Sequence, residues 1–115
     1  KRNMVKQGDI IKINFNPQAG HEQAGYRPAV VVSNNIFNKK TNLTFVCPIT
    51  NTVSDFPLHV KLDERIITTG VILCEHLKAF EINKRTYKIV ESLPMDILEQ
   101  VIDIIFAEIE IEDEN

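Results

Sequence analysis

Apolar and polar residues alternate with a period of two along most of this chain and change to a helical period near its end. In residues 9–15, Ile11, Ile13 and Phe15 share one face while Lys12 and Asn14 take the other, the pattern of a half-buried strand. Arg27 and Pro28 open a run of apolar residues through Val30, Val31 and Val32. Such a run predicts a strand over 29–33 buried on both faces, with the proline near its start or on an edge. Residues 43–50, 58–62, 71–74, 77–82 and 87–90 read as further short strands, with Pro48 interrupting the end of the first of these. Residues 34–38 read as a turn or one short helical turn. The connection over 16–26 holds Pro17, Gly20 and Gly25. It is long for so small a chain, and long connections in compact domains often carry function.

After residue 90 the period changes. Leu98, Val101, Ile102, Ile105 and Ile109 fall on one helical stripe. Pro94 suits the first helical turn and Ser92 the N-cap ahead of it. Ile104 and Phe106 widen the apolar surface beyond that stripe. Either the helix sinks deeply into its own sheet or it meets a second partner. Many short strands followed by one helix predict a mainly β fold of the α+β kind: a small, strongly curved β-barrel with a C-terminal α-helix. The 115 residues fit one domain, 1–115, without internal repeat or linker.

Charge modifies this picture locally. The formal net charge is -3, but Glu108, Glu110, Glu112, Asp113 and Glu114 crowd the tail, 108–115. Of 16 acids this leaves 11 ahead of it against 13 Lys and Arg, so residues 1–107 are mildly basic. A local basic patch suffices for a nucleic-acid ligand, so total charge does not exclude one. Cys47 and Cys74 stand alone in strand-like runs and read as buried thiols. No apolar run is long enough to span a bilayer and no signal-type start is visible, so a cytoplasmic protein is expected.

Four stretches carry a resemblance. Residues 20–33 run Gly20-His21-Glu22-Gln23-Ala24-Gly25-Tyr26-Arg27-Pro28-Ala29-Val30-Val31-Val32-Ser33. Gly8-Asp9-Ile10-Ile11 precedes them, and Pro48-Ile49-Thr50 and Thr68-Thr69-Gly70-Val71 with Cys74-Glu75-His76 follow. In this order and spacing they closely resemble the motifs of MazF/PemK (Kid) toxins, over residues 7–109. The resemblance implies an SH3-like barrel, a homodimer, and single-stranded RNA held in a groove at the dimer interface. It implies an endoribonuclease acting through the ribose 2′-hydroxyl to leave a 2′,3′-cyclic phosphate and a 5′-hydroxyl end. It also implies a cognate antitoxin with an acidic, flexible tail. No metal or other cofactor is implied, and no ligand-spaced cluster of carboxylates or histidines is visible.

Cleavage by the substrate's own 2′-hydroxyl needs a base, an acid for the leaving oxygen, and donors for charge building on phosphorus. Arg27 is the first candidate, since its planar fork of donors matches a phosphate. Thr50 has a hydroxyl that donates to a phosphate oxygen or orients a neighbour, and the family pairs it with that arginine. His21 and Glu22 on the long loop are candidate proton carriers or RNA contacts. Glu75 matches an acidic position assigned as base in PemK-like members. Two departures stand beside it: Leu73 replaces an arginine thought to be the acid, and His76 replaces a usual glutamine. His76 either restores lost capacity or is structural. Lys39, Lys40, Lys84, Arg85 and Lys88 are candidates for tracking the RNA backbone. Tyr26 and Phe37 are candidates for stacking a base, although a residue placed like Phe37 more often makes a core or dimer contact.

Three other readings compete. A CcdB-like toxin of the same fold would bind gyrase, but such toxins depend on a C-terminal Trp-Gly-Ile end and this chain has no Trp. A non-catalytic SH3-like module needs an aromatic groove, and aromatics are 7% here. An inactive homologue binding RNA or antitoxin, with Leu73 as its symptom, is the third.

Overall fold

In the computed structural model, residues 4–16, 25–52 and 55–113 are described. Seven strands and two α-helices follow one another: β1 Asp9–Asn14, β2 Tyr26–Val31, α1 Asn35–Thr41, β3 Thr44–Thr50, β4 His59–Lys61, β5 Val71–Leu73, β6 Lys78–Phe80, β7 Tyr87–Ser92 and α2 Met95–Ile109. Two 3-10 turns, Cys74–His76 and Ile82–Lys84, flank β6.

The strands form one antiparallel sheet in the order β4-β5-β3-β2-β1-β7, with β6 paired to β3 beside this path. The expected mainly β architecture with a terminal helix is present. The sheet is open, with β4 and β7 at its ends, so the barrel description fits only loosely.

Both faces of the sheet centre carry a core, as the valine run predicts. Val30 and Val32 join Ile10, Cys47, Ile49, Val60 and Ile72 under α2, while Val31 joins Ile11, Ile13, Phe15, Val46 and Phe80 on the other side. Period-two alternation sends successive residues of β2 into different cores. Pro48 does not interrupt β3; it lies within the strand opposite Ala29. The short turn expected near residue 36 is a two-turn helix. Asn34 caps it through Phe37 N–H, and Asn42, at φ 60, ends it.

Ser92 is not the N-cap of α2: it ends β7, and Pro94 stands in the cap position without a side-chain bond. Proline satisfies this start because its missing N–H is one that a first turn leaves unpaired. Ile97, Leu98 and Val101 bury the first half of α2, whereas Phe106 and Ile109 are exposed. The helix is therefore half sunk and half uncovered. No helix among the described residues is long and apolar enough to cross a membrane.

Candidate functional site

Register places the site. Ala29 pairs with Pro48, Val30 with Cys47 and Val31 with Val46. The ladder ends there; carried on by two residues, its register sets Arg27 and Thr50 on the face of Val31 and Val46. Thr50 pairs in turn with Val71, and Val71 with Lys61. Thr50, Val71 and Lys61 thus form one rung across β3, β5 and β4, and Arg27 on β2 continues its line, about 14 Å from end to end at the usual strand spacing. Arg27 and Lys61 are exposed and bracket the buried Thr50.

Thr50 is held from two sides. Its Oγ1 lies 2.9 Å from Thr52 Oγ1 and accepts Thr52 N–H at 3.2 Å. Behind it, Gly70 has φ +115, and a Cβ there would lie 2.4 Å from the Thr50 carbonyl oxygen. Only glycine allows this approach, which gives the Gly70 of the sequence motif a physical reason. The segment leading to Gly70 is pinned by Glu91 of β7. Its carboxylate accepts Ile67 N–H at 3.1 Å, Thr68 N–H at 2.8 Å and the Thr68 hydroxyl at 2.6 Å. Burial alone would raise this carboxyl, but these three bonds together outweigh it and hold it below its ordinary range.

Beside the rung lies a cleft of about 460 Å³ lined by Asp55, Phe56, Pro57, His59, Lys61 and Val71. At its far end His59 Nε2 lies 2.8 Å from Glu75 Oε2, and His76 Nε2 lies 3.9 Å from the same oxygen. Cys74 N–H donates to Leu58 O at 3.3 Å and ties this turn to the start of β4. Leu73 is buried directly opposite His59. It is the cross-strand neighbour of His59, and the Phe56 ring lies 5.1 Å from the imidazole between centroids, tilted by 59°. Both cysteines are buried free thiols; burial pushes both up, Cys74 to about 12.

Of the residues singled out in the sequence, Arg27 and Thr50 fall on this face, and Glu75 and His76 stand on the turn after β5, beside His59. His21 and Glu22 lie outside the described residues. Tyr26 is exposed, but strand alternation sets it on the other side from Arg27. Lys39 and Lys40 end α1, and Lys39 borders a pocket with Thr44, at the end of β3 remote from Thr50. They are about 20 Å from the rung by strand rise. Lys88 lies across from Lys12 and shares its exposed face, also opposite Arg27. Lys84 pairs with Glu81 at 3.4 Å. Arg85 is committed to the fold. It donates to the carbonyls of Asn14 and Asn16 at 2.8 and 2.7 Å and lies 4.0 Å over the Phe80 ring. Phe37 packs on Phe45 at 4.6 Å beneath the exposed half of α2. Sequence reasoning missed Lys61 and His59. Both sit in a plainly alternating strand, and register alone brings them to the site.

Fold and site together define a small sheet-and-helix domain with two exposed cations, Arg27 and Lys61, and an adjoining carboxylate. A family model described as PemK-like, MazF-like toxin of type II toxin-antitoxin system matches residues 6–106, and the chain belongs to that family. It is 33% identical over 106 residues to the endoribonuclease PemK of Escherichia coli, covering 89% of this chain and 80% of that protein. It is 30% identical over 111 residues to the endoribonuclease EndoA of Bacillus subtilis, covering 90% and 96%. Its structure resembles crystalline MazF from Deinococcus radiodurans with a TM-score of 0.86 and 32% identity, over 93% and 97% of the two chains.

Proposed function

We propose that this chain is the RNA-cleaving toxin of a toxin–antitoxin pair, cutting single-stranded RNA at discrete sites through the ribose 2′-hydroxyl. The products are a 2′,3′-cyclic phosphate and a 5′-hydroxyl end, and no metal or other cofactor takes part. The observation that carries this reading is the rung: an arginine fork beside a held hydroxyl, on a face bordered by Lys61 and Glu75. Arg27 and Thr50 hold the scissile phosphate and stabilise the charge that grows on it. Lys61 takes a neighbouring phosphate, and Glu75 receives the hydroxyl proton. The named activities of the PemK and EndoA relatives support the same reaction class.

The partner is a cognate antitoxin whose acidic segment competes for the same cationic rung. The MazE–MazF complex of D. radiodurans, similar to this chain with a TM-score of 0.80 and 31% identity over 94% and 97% of the two chains, supports such a pairing. The chain works in the cytoplasm as a homodimer. A groove of about 280 Å³ between α1, β3 and α2, lined by Phe37, Phe45, Ile105, Phe106 and Ile109, offers an apolar surface for a second copy. Sedimentation equilibrium is expected to give twice the 13.2 kDa chain mass. A monomer at micromolar concentration refutes the dimer.

The decisive assay is cleavage of a long single-stranded transcript with EDTA present, comparing wild type with Arg27→Ala. Wild type is expected to cut at a few sites and leave 5′-hydroxyl ends. The variant is expected to lose about 10²–10³-fold in rate while melting normally. An Arg27→Ala protein that cuts at the wild-type rate removes Arg27 from the reaction.

A further inference from the structure

Among the described residues, one buried side-chain nitrogen or oxygen has no hydrogen-bond partner: Nδ1 of His59. The His59 side chain is 9% exposed, and its other nitrogen, Nε2, lies 2.8 Å from Glu75 Oε2. Such an orphan atom calls for an explanation. A carboxylate only accepts, so the hydrogen shared with Glu75 sits on His59 Nε2, which donates it. With Nε2 engaged and Nδ1 buried, the ring has no atom left for a substrate.

Glu75 is placed differently. Its side chain is 28% exposed, and its contacts with both imidazoles run through Oε2. Among the described residues Oε1 is uncommitted. The His59–Leu73 rung lies two residues from the Lys61–Val71–Thr50 rung on the same face. That is about 7 Å by strand rise, within the span of one nucleotide. The charged and titratable groups around the pair are His76 on the same turn, Lys61 on the same strand, Asp55 in the cleft wall, and Glu108 of α2. Glu108 is raised first by burial and then by the Glu75 charge itself.

Resting on the RNA-cleavage reading above, the geometry points to His59 as a positioning residue that holds Glu75 by one oxygen, so that the other takes the proton of the ribose 2′-hydroxyl. The freed 2′-oxygen bonds to phosphorus, the bond from phosphorus to the 5′-oxygen breaks, and the leaving oxygen takes a proton from water. The orienting function comes from the neighbouring strand, because Leu73 supplies no donor.

The test measures initial rates of 5′-hydroxyl end formation on a kilobase single-stranded transcript from pH 5 to 9, for wild type, His59→Leu and His59→Gln. Thermal melts run in parallel. His59→Leu is expected to lower kcat about 10²-fold and to leave KM within twofold. His59→Gln keeps an N–H donor and is expected to recover most of that loss. A Glu75→Gln chain and its double variant with His59→Leu are expected to be equally impaired, since His59 acts through Glu75. His59→Leu cutting at the wild-type rate, a loss confined to KM, or additive effects in the double variant overturns the proposal. If His59→Leu does not fold, the same cycle built with His59→Ala decides. A wild-type protein that leaves the transcript whole overturns the cleavage reading and this proposal with it.

Discussion

Gly70→Ala is a small change with a large expected cost. A Cβ at Gly70 would sit 2.4 Å from the Thr50 carbonyl oxygen and 2.8 Å from its carbonyl carbon. Both atoms are backbone, so no side chain can swing aside. The conformation at φ +115 is itself one that residues with a Cβ avoid, at about 1–3 kcal/mol. Relieving the overlap by backbone movement adds about 1–3 kcal/mol. The sum, about 2–6 kcal/mol, lowers the melting temperature by about 4 °C per kcal/mol in a chain of this size. The strand end that gives way carries Thr50, and a misplacement of about 1 Å at a reacting group costs about 10²-fold in rate. Gly25→Ala is the control. Its φ is +78, yet a Cβ there meets nothing within 4 Å among the described residues. It should therefore lose only the conformational part, about 1–2 kcal/mol. Calorimetry and transcript cleavage on both variants check this. If Gly70→Ala melts no lower than Gly25→Ala and cleaves like wild type, the packing of Thr50 on Gly70 is not what positions it.

Two further expectations concern charge. Lys61→Ala should weaken RNA binding by a similar factor on any sequence and reduce the salt slope of log affinity by about 0.7, one phosphate contact on a single strand; an unchanged slope in filter-binding titrations removes Lys61 from the groove. Glu91→Gln should destabilise the fold at neutral pH. The Glu91 carboxyl is depressed from its ordinary 4.5, so its contribution is fully present above that value and fades as pH falls through the lower folded value. Urea midpoints of wild type and variant should therefore differ most above pH 5 and converge toward pH 3, and a gap independent of pH contradicts the assignment.

Much of this was legible in the sequence because each signal was local. Three unbroken valines announced the doubly buried strand. The stripe from Leu98 to Ile109 announced the helix, although only half of it is covered. Arg27 and Thr50 were legible as motif residues, but their opposition across β2 and β3 follows from register, a long-range property that turns and core packing set. Lys61 and His59 were invisible for the same reason: nothing within five residues distinguishes them from any alternating surface strand. Arg85 misled in the opposite sense. A basic residue beside Lys84 reads as solvent-facing, yet the chain folds it back onto the carbonyls of Asn14 and Asn16. Ser92 failed as a cap because β7 pairs through it with Asp9.

The open sheet has a mechanical consequence. Arg27 and Thr50 hang from β2 and β3, which run through the centre of both cores. Lys61, His59 and the Glu75 turn hang from a hairpin of three-residue strands at one edge. The two halves therefore belong to regions that should open at different free energies, the edge first. A ligand that bridges them lends the hairpin the rigidity of the centre. Amide exchange in β4 and β5 would then slow on binding far more than in β2, and tight association would be felt first as the stiffening of that edge.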